Sequence, residues 1–332
     1  MKQCLRLWGG SVCGKGLIMS MHGIHPLHRR KRYPRGYLRQ ELKKARVSYL
    51  LMAPFLFFFI LLTVIPVLAS IFFSFTYFNM LEPPTFVGLM NYERMFLDDG
   101  TFLIVLKNTL LFAFVTGPIS YLISFFCAWL INEFGPKLRS VFTLAFYAPV
   151  LTGNLFFIWT YLFSGDQYGI VNSTLMNLGI LGEPVQWLSD PKTMLPVLMI
   201  VQLWASLGTG FLAFIAGFQN MDKSLFEAAS IDGIKNRWQE LWYVTIPSMA
   251  PQLMFSAVMQ IAASFGVREI IQMLAGFPTT QYSADTIVTY ILDIGTVRFE
   301  MGYASAIAVF LFILMLLTNF IITHVLKRFS VD

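Results

Sequence analysis

Apolar residues in this chain fall into long runs separated by short polar stretches. Six runs stand out, at 50–73, 102–131, 141–163, 194–218, 249–274 and 303–326. Each exceeds the ~20 residues a helix needs to cross the hydrocarbon core of a bilayer. Backbone polar groups in lipid must be satisfied within the segment, so such runs predict membrane-spanning α-helices. Charges inside the runs are few. Lys107 lies near the start of the second, Arg268 and Glu269 near the end of the fifth, and His324 near the end of the sixth. At those positions a side chain reaches the interface. The pattern predicts an all-α membrane protein with six transmembrane helices. Its expected organisation is a basic tail over 1–46 and a six-helix domain over 47–332.

Composition agrees with this reading. The 332 residues are 56% hydrophobic and 13% charged, and 33 of them are Phe. Soluble domains carry about 25% charged residues, so this chain cannot coat a soluble surface. Three cysteines, Cys4, Cys13 and Cys127, cannot build a disulfide framework.

Charge is sorted by side. The tail, the second and fourth loops and the C-terminus carry 19 Lys/Arg and 7 Asp/Glu, whereas the remaining loops carry 5 and 11. The positive-inside rule then places both termini in the cytoplasm of a multi-pass cell-membrane protein. The first 46 residues alone hold 12 Lys/Arg and one acid, densest at Arg29-Arg30-Lys31-Arg32. This block reads as an orientation signal in contact with anionic lipid. No nucleic-acid module accompanies it, so nucleic acid is not expected as a partner.

Two motifs in the tail fail on inspection. The run from Gly9 through Lys15 resembles a phosphate loop, but Gly16 stands where a Ser or Thr would hold Mg²⁺. His22, His25 and His28 are spaced by three, yet Pro26 interrupts any helix that would align them and no further ligand completes a set. No metal site is expected.

The spans contain no HExxH, no GxSxG and no paired intramembrane carboxylates, so an enzyme is not expected. They carry neutral polar stripes instead. Gln252, Ser256, Gln260, Ser264 and Arg268 recur at every fourth position of the fifth run. Gln202, Ser206 and Thr209 share a face of the fourth, and the second offers Thr116, Ser120 and Ser124. Such stripes either join helices or line a path for a hydroxyl-rich, uncharged solute. Trp204 adds an aromatic face for a sugar ring. The pathway candidates are Gln202, Trp204, Ser206, Thr209, Ser256, Gln260 and Ser264.

The loop between the fourth and fifth runs is the most informative segment. Ser224 and Glu227 fit a capping box that starts a short helix, and Gly233 suits its end. A second helical piece, from 236 or 237 to 244, stops before Pro247. Trp238, Leu241 and Trp242 form its apolar face. This geometry suits a docking knob for another protein.

The run Glu227-Ala228-Ala229, then Asp232-Gly233, then Val244-Thr245-Ile246-Pro247 resembles the EAA motif of binding-protein-dependent ABC importer permeases. Arg237-Trp238-Gln239 narrows the resemblance to the carbohydrate-uptake branch, which includes the maltose and glycerol-phosphate permeases. Gly88-Leu89-Met90-Asn91-Tyr92, Lys107-Asn108-Thr109 and Gly302-Tyr303-Ala304-Ser305-Ala306 are also similar to passages of that family. The likeness spans about 45–328. It departs from the family in an interval from Gly233 to Pro247 one residue longer than usual, and in Gly276-Phe277-Pro278 where Gly-Gly-Pro is common. The longer interval is similar to that of permeases for complex oligosaccharides.

The resemblance implies the type I ABC importer permease fold, with a second homologous permease, two ATP-binding cassette subunits and an external solute-binding protein as partners. ATP and Mg²⁺ would sit on the ATPase subunits, with no cofactor on this chain. Glu227, Ala228, Ala229, Asp232, Gly233 and Pro247 would couple the chain to an ATPase. The substrate would be a sugar, most simply an oligosaccharide. Alternatives are a permease of the same architecture for glycerol phosphate or another solute, and an ion-driven secondary transporter. The latter predicts inverted repeats and mid-membrane charges, and neither is evident.

Overall fold

The computed structural model describes residues 46–152 and 156–327. The basic tail, its near-phosphate loop and His22, His25 and His28 lie outside the described residues. The chain divides into two compact units, Met1–Ile60 and Leu61–Asp332. The described part of the first is α1 (Arg46–Phe59), an almost wholly apolar helix in which Phe55 and Phe59, one turn apart, stack at 6.0 Å.

The second unit contains α2 (Ile65–Phe73), which follows a π-helical stretch ending at Val64 and has Pro66 near its start. A minimal hairpin follows, β1 (Thr76–Tyr77) antiparallel to β2 (Thr85–Phe86), with Thr76 opposite Phe86 and Tyr77 opposite Thr85. The rest is helical: α3 (Gly100–Asn132), α4 (Pro136–Leu151), α5 (Phe157–Leu162), α6 (Ile170–Asn177), α7 (Met194–Ala205), α8 (Thr209–Gln219), α9 (Lys223–Ile231), α10 (Arg237–Glu240), α11 (Ala250–Phe265), α12 (Glu269–Leu274), α13 (Ile287–Leu292) and α14 (Met301–Lys327).

Helix α3 is the spine. Its 33 residues reach ~50 Å at 1.5 Å per residue, well beyond the bilayer core. It contributes a buried phenylalanine to each of three apolar clusters. Phe102 packs with Tyr290, Tyr303 and Ile307, Phe112 with Leu198 and Ile271, and Phe125 with Phe214 and Met249.

Among the described residues, five helical segments are long and apolar enough to cross a membrane: Val47–Phe73, Gly100–Asn132, Met194–Gln219, Ala250–Leu274 and Met301–Leu326. The sixth expected span, the third run, is not among these five. There α4 ends at Leu151 and α5 begins only at Phe157, with residues 153–155 outside the description. Proline punctuates this stretch, with Pro136 opening α4 and Pro149 in its last turn.

Two spans are broken midway, which hydropathy alone does not show. The fourth unwinds at Ser206-Leu207-Gly208, between α7 and α8, and the fifth at Gly266-Val267-Arg268, between α11 and α12. Irregular backbone at membrane depth is tolerated where it is buried in protein or lines a polar cavity.

Candidate functional site

The second, fourth and fifth runs bring their polar stripes to one place. A cavity of about 250 Å³ is lined by Thr116 and Ser120 from α3, Gln202 from α7, Ser206 and Gly208 from the break, Thr209 from α8, and Gln260 and Ser264 from α11. Its floor is the unwound backbone of the fourth span. Gly208 N–H donates to the Ser206 carbonyl at 2.8 Å, and the Gln260 amide approaches the same oxygen at 3.5 Å. Thr116 and Ser206 hydroxyls donate to their own helices, at Phe112 O (2.7 Å) and Leu203 O (2.6 Å). They therefore present oxygen lone pairs to the cavity. Small residues allow the helices to approach. A Cβ at Gly117 would lie 3.3 Å from Ser264 Oγ.

Five of the seven pathway candidates, Gln202, Ser206, Thr209, Gln260 and Ser264, share this cavity. Two lie elsewhere. Ser256 is buried and donates to Gly210 O at 2.9 Å, so its hydroxyl joins α11 to α8. Trp204 packs edge-on against Trp159 at 5.4 Å, away from the cavity lining.

The cavity shares Val150, Gln202, Ala205 and Ala263 with a wider vestibule of about 500 Å³, whose charged members are Arg268 and Glu269. One turn along α4 and α8 in the other direction lies a third chamber of about 460 Å³, with Arg139, Thr143 and Gln219 in its wall.

The loop after α8 is a helix, a glycine and a second helical piece. The capping box expected at Ser224 and Glu227 does not form. The helix starts at Lys223, and Asp222 is its cap, accepting from Ser224 N–H at 2.9 Å. That hydrogen bond holds the Asp222 carboxyl below its usual range, as suits an anionic cap. The Glu227 side chain, which closes no box, is exposed and makes no hydrogen bond among the described residues. Ala228 is exposed beside it, whereas Ala229 is buried. Asp232 ends the helix, and Gly233 follows at φ +93°, where a side chain would be strained.

The second piece also runs past its expected stop. From α10 it continues as a π-turn over Leu241–Thr245 and a helical turn at Ile246–Ser248 that contains Pro247. Of the expected apolar face only Leu241 is buried, while Trp238 and Trp242 are exposed. Trp238 leans on Trp129 of α3 at 5.4 Å.

A further cluster joins residues far apart in the chain. The Asp99 carboxylate caps α3 through Phe102 N–H at 3.0 Å and accepts hydroxyls from Tyr290 and Tyr303 at 2.6 Å each. Arg94 pairs with Glu300 at 2.6 Å and covers the Tyr303 ring. These residues are 191 and 204 positions apart in sequence, so no local spacing could reveal them.

No family model matches the chain. Individual proteins do. It is 32% identical over 270 residues to the probable ABC transporter permease protein YesP of Bacillus subtilis, covering 79% of this chain and 84% of that protein. It is 30% identical over 280 residues to the arabinooligosaccharides transport system permease protein AraP of Bacillus subtilis, covering 84% and 88%. Among solved structures, it is similar in fold to a chain of the bacterial alginate ABC transporter in complex with alginate pentasaccharide-bound periplasmic protein. There the TM-score is 0.70 at 22% identity, covering 88% of this chain and 98% of that one.

Proposed function

Since the chain belongs to the ABC transporter permeases, we propose that it supplies one half of the membrane path of an ATP-driven importer of a sugar, most simply an oligosaccharide. The observation that carries this reading is the cavity into which three spans deliver neutral donors and acceptors. Sugar hydroxyls exchange hydrogen bonds with water for equivalent ones with Gln202, Thr209, Gln260 and Ser264. Among the described residues, no charged side chain lines the cavity around Gln260, in keeping with a hydroxyl-rich solute and not an ion-coupled cycle. The relatives support the substrate class, since the permease AraP is named for arabinooligosaccharides.

The remaining partners follow from the family. A second permease completes the path, two ATPase subunits carry ATP and Mg²⁺, and an external binding protein delivers the sugar. This chain catalyses nothing itself. Both termini are cytoplasmic in this reading, and α4 with α5 makes up the sixth crossing.

Glu227, Ala228, Ala229, Asp232, Gly233 and Pro247 form the coupling element. The free carboxylate of Glu227, with exposed Ala228, suits a cationic cleft on an ATPase subunit. Gly233 makes the reversal that returns the chain to the bundle. Rocking of this element would move α8 and α11, the helices on either side of the cavity. The breaks at Ser206–Gly208 and Gly266–Arg268 are natural places for that motion to be absorbed.

The test is the energy source together with the cavity. Sugar uptake by cells carrying the complete transporter should survive a proton ionophore and stop on ATP depletion. Gln260→Leu combined with Ser264→Leu should abolish it. Unchanged uptake in that double variant would remove the cavity from the path.

A further inference from the structure

Three chambers lie in turn along α4, and their charges are unequal. The vestibule holds Arg268 and Glu269, the central cavity holds no charged side chain, and the third chamber holds Arg139. The central cavity is not neutral in field, however. Gly208 and Thr209 open the N-terminus of α8 onto it, and no side chain caps that end. Its first-turn N–H groups place positive potential in the cavity.

Arg268 is the key group. Its Nε donates to Gln272 Oε1 at 3.0 Å, one turn along. That bond orients the guanidinium while leaving its charge intact, because Gln272 is neutral. Among the described residues no carboxylate lies within ion-pair distance of Arg268, its neighbour Glu269 included. The two terminal nitrogens are left as a planar two-donor fork, a shape that matches a carboxylate.

From this we infer that Arg268 is a specificity-determining residue that selects saccharides bearing a carboxylate, of the uronic acid class, over neutral ones of the same length. The inference rests on the cavity being the saccharide path, and it names the charge of the saccharide. Arg268 engages the carboxylate as the sugar enters. The α8 terminus attracts it at mid-path, and Arg139 does so in the far chamber. Glu269 opposes entry and tempers the affinity, so that the sugar is not trapped at the mouth.

The test is equilibrium binding to the detergent-solubilised permease–ATPase complex without its binding protein. Labelled trigalacturonate and labelled galactotriose serve as the acidic and neutral probes. The intact complex should bind trigalacturonate about tenfold more tightly or better, as expected for one charge-assisted hydrogen-bond pair. Added salt should erode that preference. R268Q should reduce the two affinities to near equality by weakening trigalacturonate alone, and R268K, which keeps the charge without the fork, should retain part of the preference. E269Q should move trigalacturonate the other way, to tighter binding. An unchanged affinity ratio in R268Q, or equal loss of both probes, would overturn the role of Arg268 while leaving the sugar path standing. If the intact complex bound neither probe, both the path and this inference would fall.

Discussion

Arg237, at the start of α10, reaches across to Glu133 at the end of α3 and pairs with it at 2.9 Å, while its other terminal nitrogen holds Glu240 at 3.1 Å. The pair ties the loop after α8 to the spine of the bundle. Both partners are solvent-exposed, with side chains 62% and 43% accessible, so the energy involved is small. Exposed pairs of this kind contribute about 0–1 kcal/mol. A double-mutant cycle with Arg237→Ala and Glu133→Ala should give a coupling energy of that order in thermal unfolding, declining with salt. A value of several kcal/mol would mean that the pair is desolvated in the assembled transporter.

The Asp99 cluster makes a prediction about pH. Burial acts to raise the Asp99 carboxyl, but hydroxyls from Tyr290 and Tyr303 and the N–H groups of Phe102 and Thr101 outweigh it, and the group sits below the usual carboxylate range. A carboxylate lowered on folding stabilises the fold above its unfolded pKa, about 3.9, and that contribution disappears as pH falls through the folded value. The contribution should thus be constant from pH 7 to 5 and decline below about pH 4. Asp99→Asn should cost about 1.5–3 kcal/mol at pH 7, the scale of a charged hydrogen bond, and should flatten the acid side of the stability curve. Melting temperatures of the variant and parent at pH 4 and 7 decide this, and an identical pH response in both would count against it.

Gly302 brings α14 close against the hairpin. Its N–H donates to Phe78 O at 3.1 Å, and a Cβ there would collide with the Thr76 carbonyl oxygen. Since that obstacle is backbone, it cannot turn aside. Gly302→Ala should destabilise by about 1–3 kcal/mol or more. Full expression and an unshifted melting curve for the variant would show that the helix can move without cost.

Ser256 and Gln260, one turn apart on α11, should behave differently. Ser256→Ala removes the bond to Gly210 O and should cost about 0.6 kcal/mol, within the range up to ~1.7 for interhelical hydrogen bonds in membranes, with substrate binding unaltered. Gln260→Leu should do the reverse, weakening sugar binding with little loss of stability. Stability and binding measured on the same two preparations would contradict this account if the effects were exchanged.

The comparison of sequence with structure explains which features could be read early. Five of the runs match segments long and apolar enough to cross a membrane, because hydropathy averages over the ~20 residues that lipid demands. The helix after α8 and the glycine that ends it were legible because turn chemistry is local. Positions four apart also placed Ser256, Gln260 and Ser264 on one stripe. Spacing could not tell which of them faces a neighbouring helix, because that depends on Gly210 lying opposite Ser256 and Gly117 opposite Ser264. The capping residue was missed by two positions, since Asp222 and Ser224 are both good caps and only the backbone chooses between them. The break at Gly208 and the Asp99 cluster are tertiary events, carried by residues whose local sequence reads as ordinary helix.

The central claim is that sugar movement through the polar cavity is driven from the loop bearing Glu227. The most direct measurement is ATP-driven uptake of a labelled oligosaccharide into proteoliposomes holding the whole transporter, with Glu227→Ala compared with the parent chain. The account predicts that uptake and sugar-stimulated ATP hydrolysis fall together by at least about tenfold, as for loss of a buried charged contact, while sugar binding to the permease persists. Uptake and stimulated hydrolysis at parental levels in Glu227→Ala would contradict it.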